Sequence, residues 1–389
     1  MPSARVLAVA DIKKEMAKIG VDPYGIKLMA DKADLLVIKV ESIDHRAANI
    51  LKQEMLSLGG ETACARTVMS LQKGNAPALL IGTPAQYRKL IFKLMYQPFG
   101  LREFSTRIKN TIDNYFQRIK KVRLMGILNV TPDSFSDGGK YFSSGSAIDH
   151  ALAMVQEGAD IIDIGGESSR PGSIPVSARE EMARVLPVLK AVVKKARVPV
   201  SIDTYKAEVA SVCLAQGANI INDISALRFD RRMAKVAVKY KAKVILMHMQ
   251  GTPRQMQKNP RYQDVVNEVF QFLDERIQYA VSQGIGREDL IIDPGIGIGF
   301  GKTLGHNLAL LQKLSEFRSL GVPVLLGVSR KAMIGNILGL APDQRLNGSM
   351  AAAAWGYLHG ASILRVHDVA QTKELLKVLE AIKSAKLQV

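Results

Sequence analysis

The sequence has few cysteines and no long apolar run. Its 389 residues include only two cysteines, Cys64 and Cys213, which lie far apart and form no CxxC pair. This pattern predicts reduced structural thiols rather than a disulfide framework or a zinc site. No run of about 18 apolar residues is present, and the first residues become charged too soon for a signal peptide. We therefore expect a cytosolic protein without a membrane-spanning helix.

Positive charge is abundant, since the net charge is +17 at neutral pH. Residues 1–121 hold 20 basic and 11 acidic residues, a net of +9, which leaves +8 for the rest of the chain. Basic residues are thus spread along the sequence, and no aromatic-interleaved stripe or nucleic-acid motif accompanies them. We expect neither nucleic acid nor a membrane as a partner. A field of this sign favours small anionic ligands.

The length exceeds what one core usually fills, so two structural units are expected. From residue 122 onward a strand-like run followed by a helix-like run recurs eight times. The predicted strands are 122–129, 160–166, 198–204, 220–225, 243–249, 289–295, 323–329 and 362–368. The predicted helices are 147–158, 180–195, 207–217, 231–240, 262–283, 307–320, 349–360 and 369–387. Because the strands are apolar on both faces, they predict a parallel (β/α)₈ barrel, although a doubly wound open sheet shares the pattern.

Residues 1–121 have a different pattern of strand-like and helix-like runs. Strand patterns at 35–40 and 78–81 alternate with helix patterns at 47–58 and 85–95. A further helix at 101–118 would connect this part to the barrel. The sequence predicts a small α/β domain with a structural or interaction role, because no constellation of ligand-binding residues occurs in it.

Most predicted barrel strands end in polar residues. They are Asn129, Asp163 with Glu167, Asp203, Asn222 with Asp223, His248, Asp293, Ser329, and Arg365 with His367. In (β/α)₈ barrels the carboxyl ends of the strands open into one mouth, where the chemistry takes place. This ring of polar groups favours an enzyme.

Seven segments resemble dihydropteroate synthases in their order and spacing. They are LMGILNVTPDSFSDGG at 124–139, DIGGESSRPG at 163–172, SIDT at 201–204, NDI at 222–224, DPGIGIGFGKT at 293–303, GVSRK at 327–331 and RVHDV at 365–369. The resemblance covers residues 122–389. It implies a transferase of folate biosynthesis that joins 4-aminobenzoate to 6-hydroxymethyl-7,8-dihydropterin pyrophosphate and releases pyrophosphate.

The resemblance implies a role for each matching residue. A pterin has a planar donor–acceptor edge, so its pocket needs carboxylates, amides and a cation in one plane. The implied pterin-binding residues are Asp203, Asn222, Asp293, Lys331, Arg365 and Met247. Pyrophosphate would be bound by Asn129, Ser169, Arg170, Arg365 and His367. Asn129 also matches the position linked to Mg²⁺, a cation that suits diphosphate oxygens.

The aminobenzoate site is implied by a further set, namely Phe135, Ser169, Arg170, Pro171, Phe300 and Ser329. Several of these lie in two loops, 131–142 and 167–177, which are expected to close over the substrates and exclude water. Ser169 stands where the family usually has threonine. The glycine-rich run is two residues longer than usual, so Ile298 is an alternative to Phe300.

The implied mechanism uses no nucleophilic side chain. Pyrophosphate departs first, the pterin stabilises the resulting cation, and the arylamine then attacks. The residues expected to carry catalysis are Asn129, Arg170, Lys331, Arg365 and His367. The family also implies a homodimer. Two rival functions are a pterin-binding methyltransferase acting on methyltetrahydrofolate and a non-catalytic folate-binding protein. The first has no need of the SSRPG, SRK and RVH segments, and the intact anion-binding and loop residues argue against the second.

Overall fold

The computed structural model describes residues 12–70, 73–131, 144–168, 173–251 and 259–385. The chain divides into two compact units, Met1–Asp113 and Asn114–Val389. This division falls inside a helix, whereas the sequence places the boundary at 121/122. Among the helices of the described ranges, none has the length and apolar character needed to cross a lipid bilayer.

The first unit is a small α/β domain, as expected. Its antiparallel sheet has the order β1-β3-β2, with β1 at Leu36–Asp44, β2 at Glu61–Cys64 and β3 at Asn75–Gly82. Its helices are α1 (Ile12–Lys18), α2 (Pro23–Met29), α3 (His45–Ser57), α4 (Pro84–Leu94) and α5 (Leu101–Phe116), the last of which contains the division.

Helix α4 begins where the sequence chemistry favours it. Thr83 and Gln86 form a capping box, and Pro84 occupies the first turn, where its missing N–H costs nothing. Tyr87 on this helix is fully buried and donates its hydroxyl to the Leu80 carbonyl of β3 at 2.7 Å. The helix is thereby fixed to the sheet.

The second unit is a (β/α)₈ barrel, which confirms the predicted fold class. Its eight parallel strands are β4 (Arg123–Asn129), β5 (Ile161–Gly165), β6 (Val200–Asp203), β7 (Ile220–Asp223), β8 (Lys243–Met247), β9 (Leu290–Asp293), β10 (Leu325–Gly327) and β11 (Ile363–Val366). They run in the order β10-β11-β4-β5-β6-β7-β8-β9. One parallel bridge between Ile292 and Val324 joins β9 to β10 and closes the circle.

Helices surround the barrel. They are α6 (Ser144–Glu157), α7 (Ala178–Lys195), α8 (Ala207–Ala215), α9 (Met233–Tyr240), α10 (Val265–Ser282), α11 (Leu304–Gln312), α12 (Ala332–Leu338), α13 (Leu346–Leu358) and α14 (Val369–Ser384). The main core lies between the strands and these helices. Cys213 is buried there, and both it and Cys64 are free thiols, as predicted.

Candidate active site at the barrel mouth

The alternation of side chains along the strands places the site residues in one mouth. A layer of the barrel interior is formed by Met125, Ile161, Ile220, Ile245, Ile291, Leu325 and Ile363. Because successive side chains of a strand point to opposite faces, the residue two positions further points inward again, nearer the carboxyl end. On five of these seven strands, that position holds Asp163, Asn222, Met247, Asp293 and Arg365. The barrel layer thus directly supports the layer that carries the chemistry.

A guanidinium joins two carboxylates in this layer. Arg365 donates from Nε to Asp163 Oδ2 at 2.7 Å and from Nη2 to Asp203 Oδ2 at 2.9 Å. Asn222 donates its amide to the same oxygen of Asp163 at 3.1 Å. Burial alone would lower the pKa of Arg365, but the two carboxylates raise it. The forked contact fixes the orientation of the guanidinium plane.

Asp203 and Asp293 are carboxylates in a buried setting. Burial raises the pKa of Asp203 to about 7, against the attraction of Arg365. Burial also raises the pKa of Asp293, whose Oδ1 accepts the Gly295 N–H at 2.7 Å. Asp203 can therefore bind or release a proton near neutral pH, and both carboxyls hold a proton more readily than exposed ones do.

Lys331 faces these carboxylates without being paired to them. Burial, and then the charge of Arg365, lower the pKa of Lys331 to about 8. Its ammonium lies 4.7 Å from the centre of the Phe300 ring, and no ion pair to it occurs among the described residues. It is thus available to donate to a bound ligand. The neighbouring Arg330 is directed away, since it pairs with Asp368.

Ser329 and His367 form a pair at the ends of β10 and β11. The Ser329 hydroxyl accepts the backbone N–H of His367 at 3.1 Å and lies 3.0 Å from its Nδ1. Burial, and then the charge of Arg365, lower the pKa of His367 to about 4, so the ring is neutral at pH 7. The simplest assignment has the hydroxyl donating to Nδ1, which leaves Nε2–H as a donor toward an anion.

An apolar wall borders the polar groups. It consists of Ile224, Met247 and Met249, with Tyr205 and Phe300 packed against them. Ile298 instead packs against the core between strands and helices. Of the two aromatic-site alternatives from the sequence, Phe300 is therefore the one beside the mouth.

Asn129 lies at the end of β4, in register with Gly165 of β5. A Cβ on Gly165 would lie 3.7 Å from Asn129 Oδ1 and 3.5 Å from Asp203 Cβ. The missing side chain therefore leaves space between these two polar groups. In the described ranges no cluster of three His, Cys, Asp or Glu side chains is placed to hold a metal. A single amide oxygen suits Mg²⁺ bound mainly through phosphate oxygens and water.

Two predicted members of the polar ring were wrong, because their side chains have structural roles. Asp223 is fully buried and accepts N–H groups from Ser225 and Leu227, which braces a turn where Leu227 has φ of +65°. His248 follows the inward-pointing Met247 and is buried against Phe272 of α10, with ring centres 4.8 Å apart. Sequence position alone did not distinguish the two faces of a strand end.

Two residues gained roles that the sequence reasoning had not assigned. Asp163 pairs with Arg365, and Lys302 is fully buried beside His248. Both lie in recognised motifs, but their partners are distant in sequence. Only the closed barrel brings these pairs together.

Four predicted site residues, Phe135, Ser169, Arg170 and Pro171, lie outside the described residues, as do most of the first loop and the centre of the second. The flanks of the second loop are described. Glu167 accepts hydrogen bonds from Tyr205 Oη at 2.6 Å and from the Val176 N–H at 3.3 Å, and it pairs with Lys206. One carboxylate therefore ties both flanks of this loop to the start of α8.

Comparisons with known proteins agree with this arrangement. Residues 125–367 match the model of a family described as pterin binding enzyme. Over 263 residues the chain is 48% identical to dihydropteroate synthase of Escherichia coli (strain K12), covering 68% of this chain and 92% of that protein. It is similar to the Yersinia pestis dihydropteroate synthase, solved with a sulfonamide drug, with a TM-score of 0.66 and 45% identity. That match covers 69% of this chain and 97% of the Yersinia pestis chain.

A third relative extends over the first unit as well. It is a probable bifunctional folylpolyglutamate synthase/dihydropteroate synthase of Halobacterium salinarum, 39% identical over 383 residues. The match covers 96% of this chain and 46% of that protein. The combination of the small α/β unit with the barrel is therefore shared with this relative.

Proposed function

We infer the chemistry of the mouth from one premise: the chain belongs to the pterin-binding enzymes and, within them, to the dihydropteroate synthases. Its reaction is the transfer of a dihydropterin methylene group from pyrophosphate to the amine of 4-aminobenzoate, which forms 7,8-dihydropteroate for folate biosynthesis. The observation that carries the residue assignments is the Asp163–Arg365–Asp203 network with the unpaired Lys331 ammonium beside it.

The pterin edge binds to the inner layer of the mouth. Asp203 and Asp293 accept hydrogen bonds from the ring N–H and amino groups, Asn222 pairs with the same edge, and Lys331 donates to the exocyclic oxygen. Arg365 stacks on the ring face, and Met247 lies beneath it. The close packing of these residues supports the proposal, since their charges act on one another.

The pyrophosphate binds where a guanidinium and neutral hydrogen-bond donors converge. Arg365 and the Nε2–H of neutral His367 contact its oxygens, together with Ser169 and Arg170 of the second loop. The amide oxygen of Asn129 would hold Mg²⁺, which would neutralise charge on the departing diphosphate. The space over Gly165 supports this position for Asn129.

The aminobenzoate binds between the wall and the loops. Phe300 supplies the aromatic surface, Ser329 lies near the carboxylate, and Phe135, Ser169, Arg170 and Pro171 complete the site. Packing of Phe300 against Met247 and Met249 supports its choice over Ile298.

Bond breaking precedes bond making in this proposal. The C–O bond breaks with its electron pair leaving on pyrophosphate, and the electron-rich dihydropterin stabilises the methylene cation. The amine nitrogen then forms the C–N bond and gives up one proton to the released pyrophosphate or to water. The enzyme contributes orientation and stabilisation of the leaving charge, rather than a covalent intermediate.

A direct assay tests the function. The full chain is incubated with the pterin pyrophosphate, 4-aminobenzoate and Mg²⁺, and pteroate formation is followed by chromatography. We expect product, Mg²⁺ dependence, and inhibition by a sulfonamide that competes with aminobenzoate. Absence of product under these conditions would contradict the proposal.

A homodimer is proposed for the barrel. Neighbouring helices α11 to α14 expose large apolar side chains, namely Leu308, Ile337, Leu338, Trp355, Leu358, Val378 and Ile382. An exposed set of this kind is typical of a protein interface. Leu358→Asp is expected to shift the mass measured by light scattering from dimer to monomer, and a monomeric parent would contradict the proposal. The cytosolic location remains a prediction.

A further inference from the structure

Lys302 is a lysine with no solvent exposure. It follows the glycine-rich segment 294–301, and its ammonium lies 2.8 Å from His248 Nδ1, 3.2 Å from the His248 carbonyl and 3.4 Å from the Phe300 carbonyl. An ammonium has three protons, so these three acceptors match its donors. Burial lowers the pKa of Lys302 to about 7, because burying a charge is costly, and the three acceptors favour the protonated form.

The ring of His248 is held in the state that this contact requires. Burial, and then the charge of Lys302, lower the pKa of His248 well below its usual value. The neutral ring therefore presents an unprotonated Nδ1 as the acceptor. Packing against Phe272 keeps the ring in this orientation.

The contact joins two segments of backbone that meet beneath the mouth. The segment 248–250 continues β8, and the segment 294–301 continues β9. Gln250 N–H approaches the Phe300 carbonyl at 3.4 Å, and Tyr262 donates its hydroxyl to the Gly301 carbonyl at 2.9 Å. Lys302 is the one residue that binds carbonyls from both segments, within the residues that the structure describes.

The same two segments carry two members of the apolar wall, Met249 and Phe300. Met249 directly follows His248, and the Phe300 carbonyl accepts from the Lys302 ammonium. The Lys331 ammonium lies over the Phe300 ring, 4.7 Å from the ring centre. A change in the spacing of the two segments would therefore displace the wall relative to the polar groups.

We propose that Lys302 is a positioning residue, which holds segment 248–250 against segment 294–301 and thereby sets the distance between Phe300 and the methionine side of the wall. It acts through the backbone and touches no substrate. The inference rests on the proposed function in one respect, namely that this wall borders the aminobenzoate.

Lys302→Met tests the contact at nearly constant side-chain volume. Loss of the ammonium leaves His248 Nδ1 and the His248 carbonyl unpaired and removes one of the two donors to the Phe300 carbonyl. We therefore expect amide hydrogen exchange in 294–301 to become about tenfold faster. The KM for aminobenzoate should rise about tenfold, whereas kcat should change less than about threefold. Phe317→Leu, in the core between strands and helices, is the matched control for general destabilisation and should leave both readouts unchanged.

Two variants of His248 keep the lysine and test its partner. His248→Asn retains a side-chain acceptor near the position of Nδ1, whereas His248→Leu removes it. We expect a near-parental KM for the first and a KM close to that of Lys302→Met for the second.

Three results would overturn the positioning role: unchanged exchange and KM in Lys302→Met, equal KM in the two His248 variants, or the same KM increase in Phe317→Leu. A parent without synthase activity would instead refute the proposed function. In that case the exchange measurement still tests the contact.

Discussion

At the residue scale, the charges of the mouth are organised around Arg365. Its guanidinium binds two carboxylates from different strands, Asp163 and Asp203, and so offsets their mutual repulsion. The second oxygen of Asp163 has no hydrogen-bond partner among the described residues. Arg365 binds Oδ2 of Asp163 and Oδ2 of Asp203, and these two contacts set the orientation of its guanidinium.

Replacing this guanidinium tests the fork. Arg365→Lys keeps the charge but cannot reach both carboxylates in the same plane, so kcat/KM should fall roughly a hundredfold, about 3 kcal/mol. Arg330→Lys is the matched control, because Arg330 pairs with Asp368 at a more exposed position. Steady-state kinetics and circular dichroism measure the effect. Equal losses in both variants would show that the fork has no special role.

The titration of Asp203 and Lys331 predicts a narrow pH profile. Asp203 must be ionised to accept from the pterin, and Lys331 must be protonated to donate to it. Since their pKa values are about 7 and about 8, kcat/KM for the pterin substrate should rise through pH 7 and fall above pH 8. Lys331→Arg should move the falling limb to higher pH. A profile that is flat from pH 6 to 9 would contradict these assignments.

Residue identities in the mouth could be predicted from sequence, but pairings could not. The motifs and their spacing identified Asp203, Asn222 and Arg365 as site residues. The partner of Arg365 on β5 lies 202 positions away, and only closure of the barrel brings it near. The predicted positions of His248 and Asp223 were wrong because a polar side chain at a strand end can point to either face of the barrel sheet.

At the element scale, every predicted barrel strand contains the observed one. The observed strands are shorter because the hydrogen-bonded ladder ends while burial of the side chains continues, as at Val328 and Met249. Strand β2 was missed, since its four residues include no run of β-branched or aromatic side chains. Helices α1 and α2 are one or two turns long and give too little periodicity to detect.

The segment after β9 depends on glycine. Gly295 has φ of +71°, and a Cβ there would lie 2.0 Å from the His248 carbonyl oxygen. Gly295→Ala should therefore lower Tm more than Gly339→Ala, which has φ of +69° but no atom within 4 Å of its Cβ. The control loses only about 1–2 kcal/mol from backbone strain. Calorimetry measures the difference, and equal Tm values would show that the close approach is relieved without cost.

At the scale of the whole molecule, the barrel is expected to function without the first unit. The E. coli relative has 92% of its length covered by a match to 68% of this chain, and the barrel has its own core. A chain that begins at Asn114 should fold and retain kcat within about threefold. Circular dichroism and the synthase assay measure this. An insoluble or inactive product would show that the first unit stabilises the barrel.

Acid should destabilise the folded chain partly through His367. Its folded pKa of about 4 lies below the unfolded value of 6.5, so the unfolded chain binds more protons between these pH values and stability falls as the pH decreases. The contribution is at most about 3 kcal/mol. His367→Asn should lose less stability than the parent between pH 6.5 and pH 4 in urea titrations. Parallel losses would refute the assignment.

Strands β9 and β10 are joined by a single bridge, so a ligand that contacts both sides of this join would stabilise the closed barrel. Asp293 ends β9, and Lys331 follows β10, so the two residues stand on opposite sides of the thinnest join in the barrel. A pterin bound as proposed would contact both residues and so span this join. Bound substrate would then hold β9 and β10 together, and the barrel would open at this join less often in the complex than in the free protein.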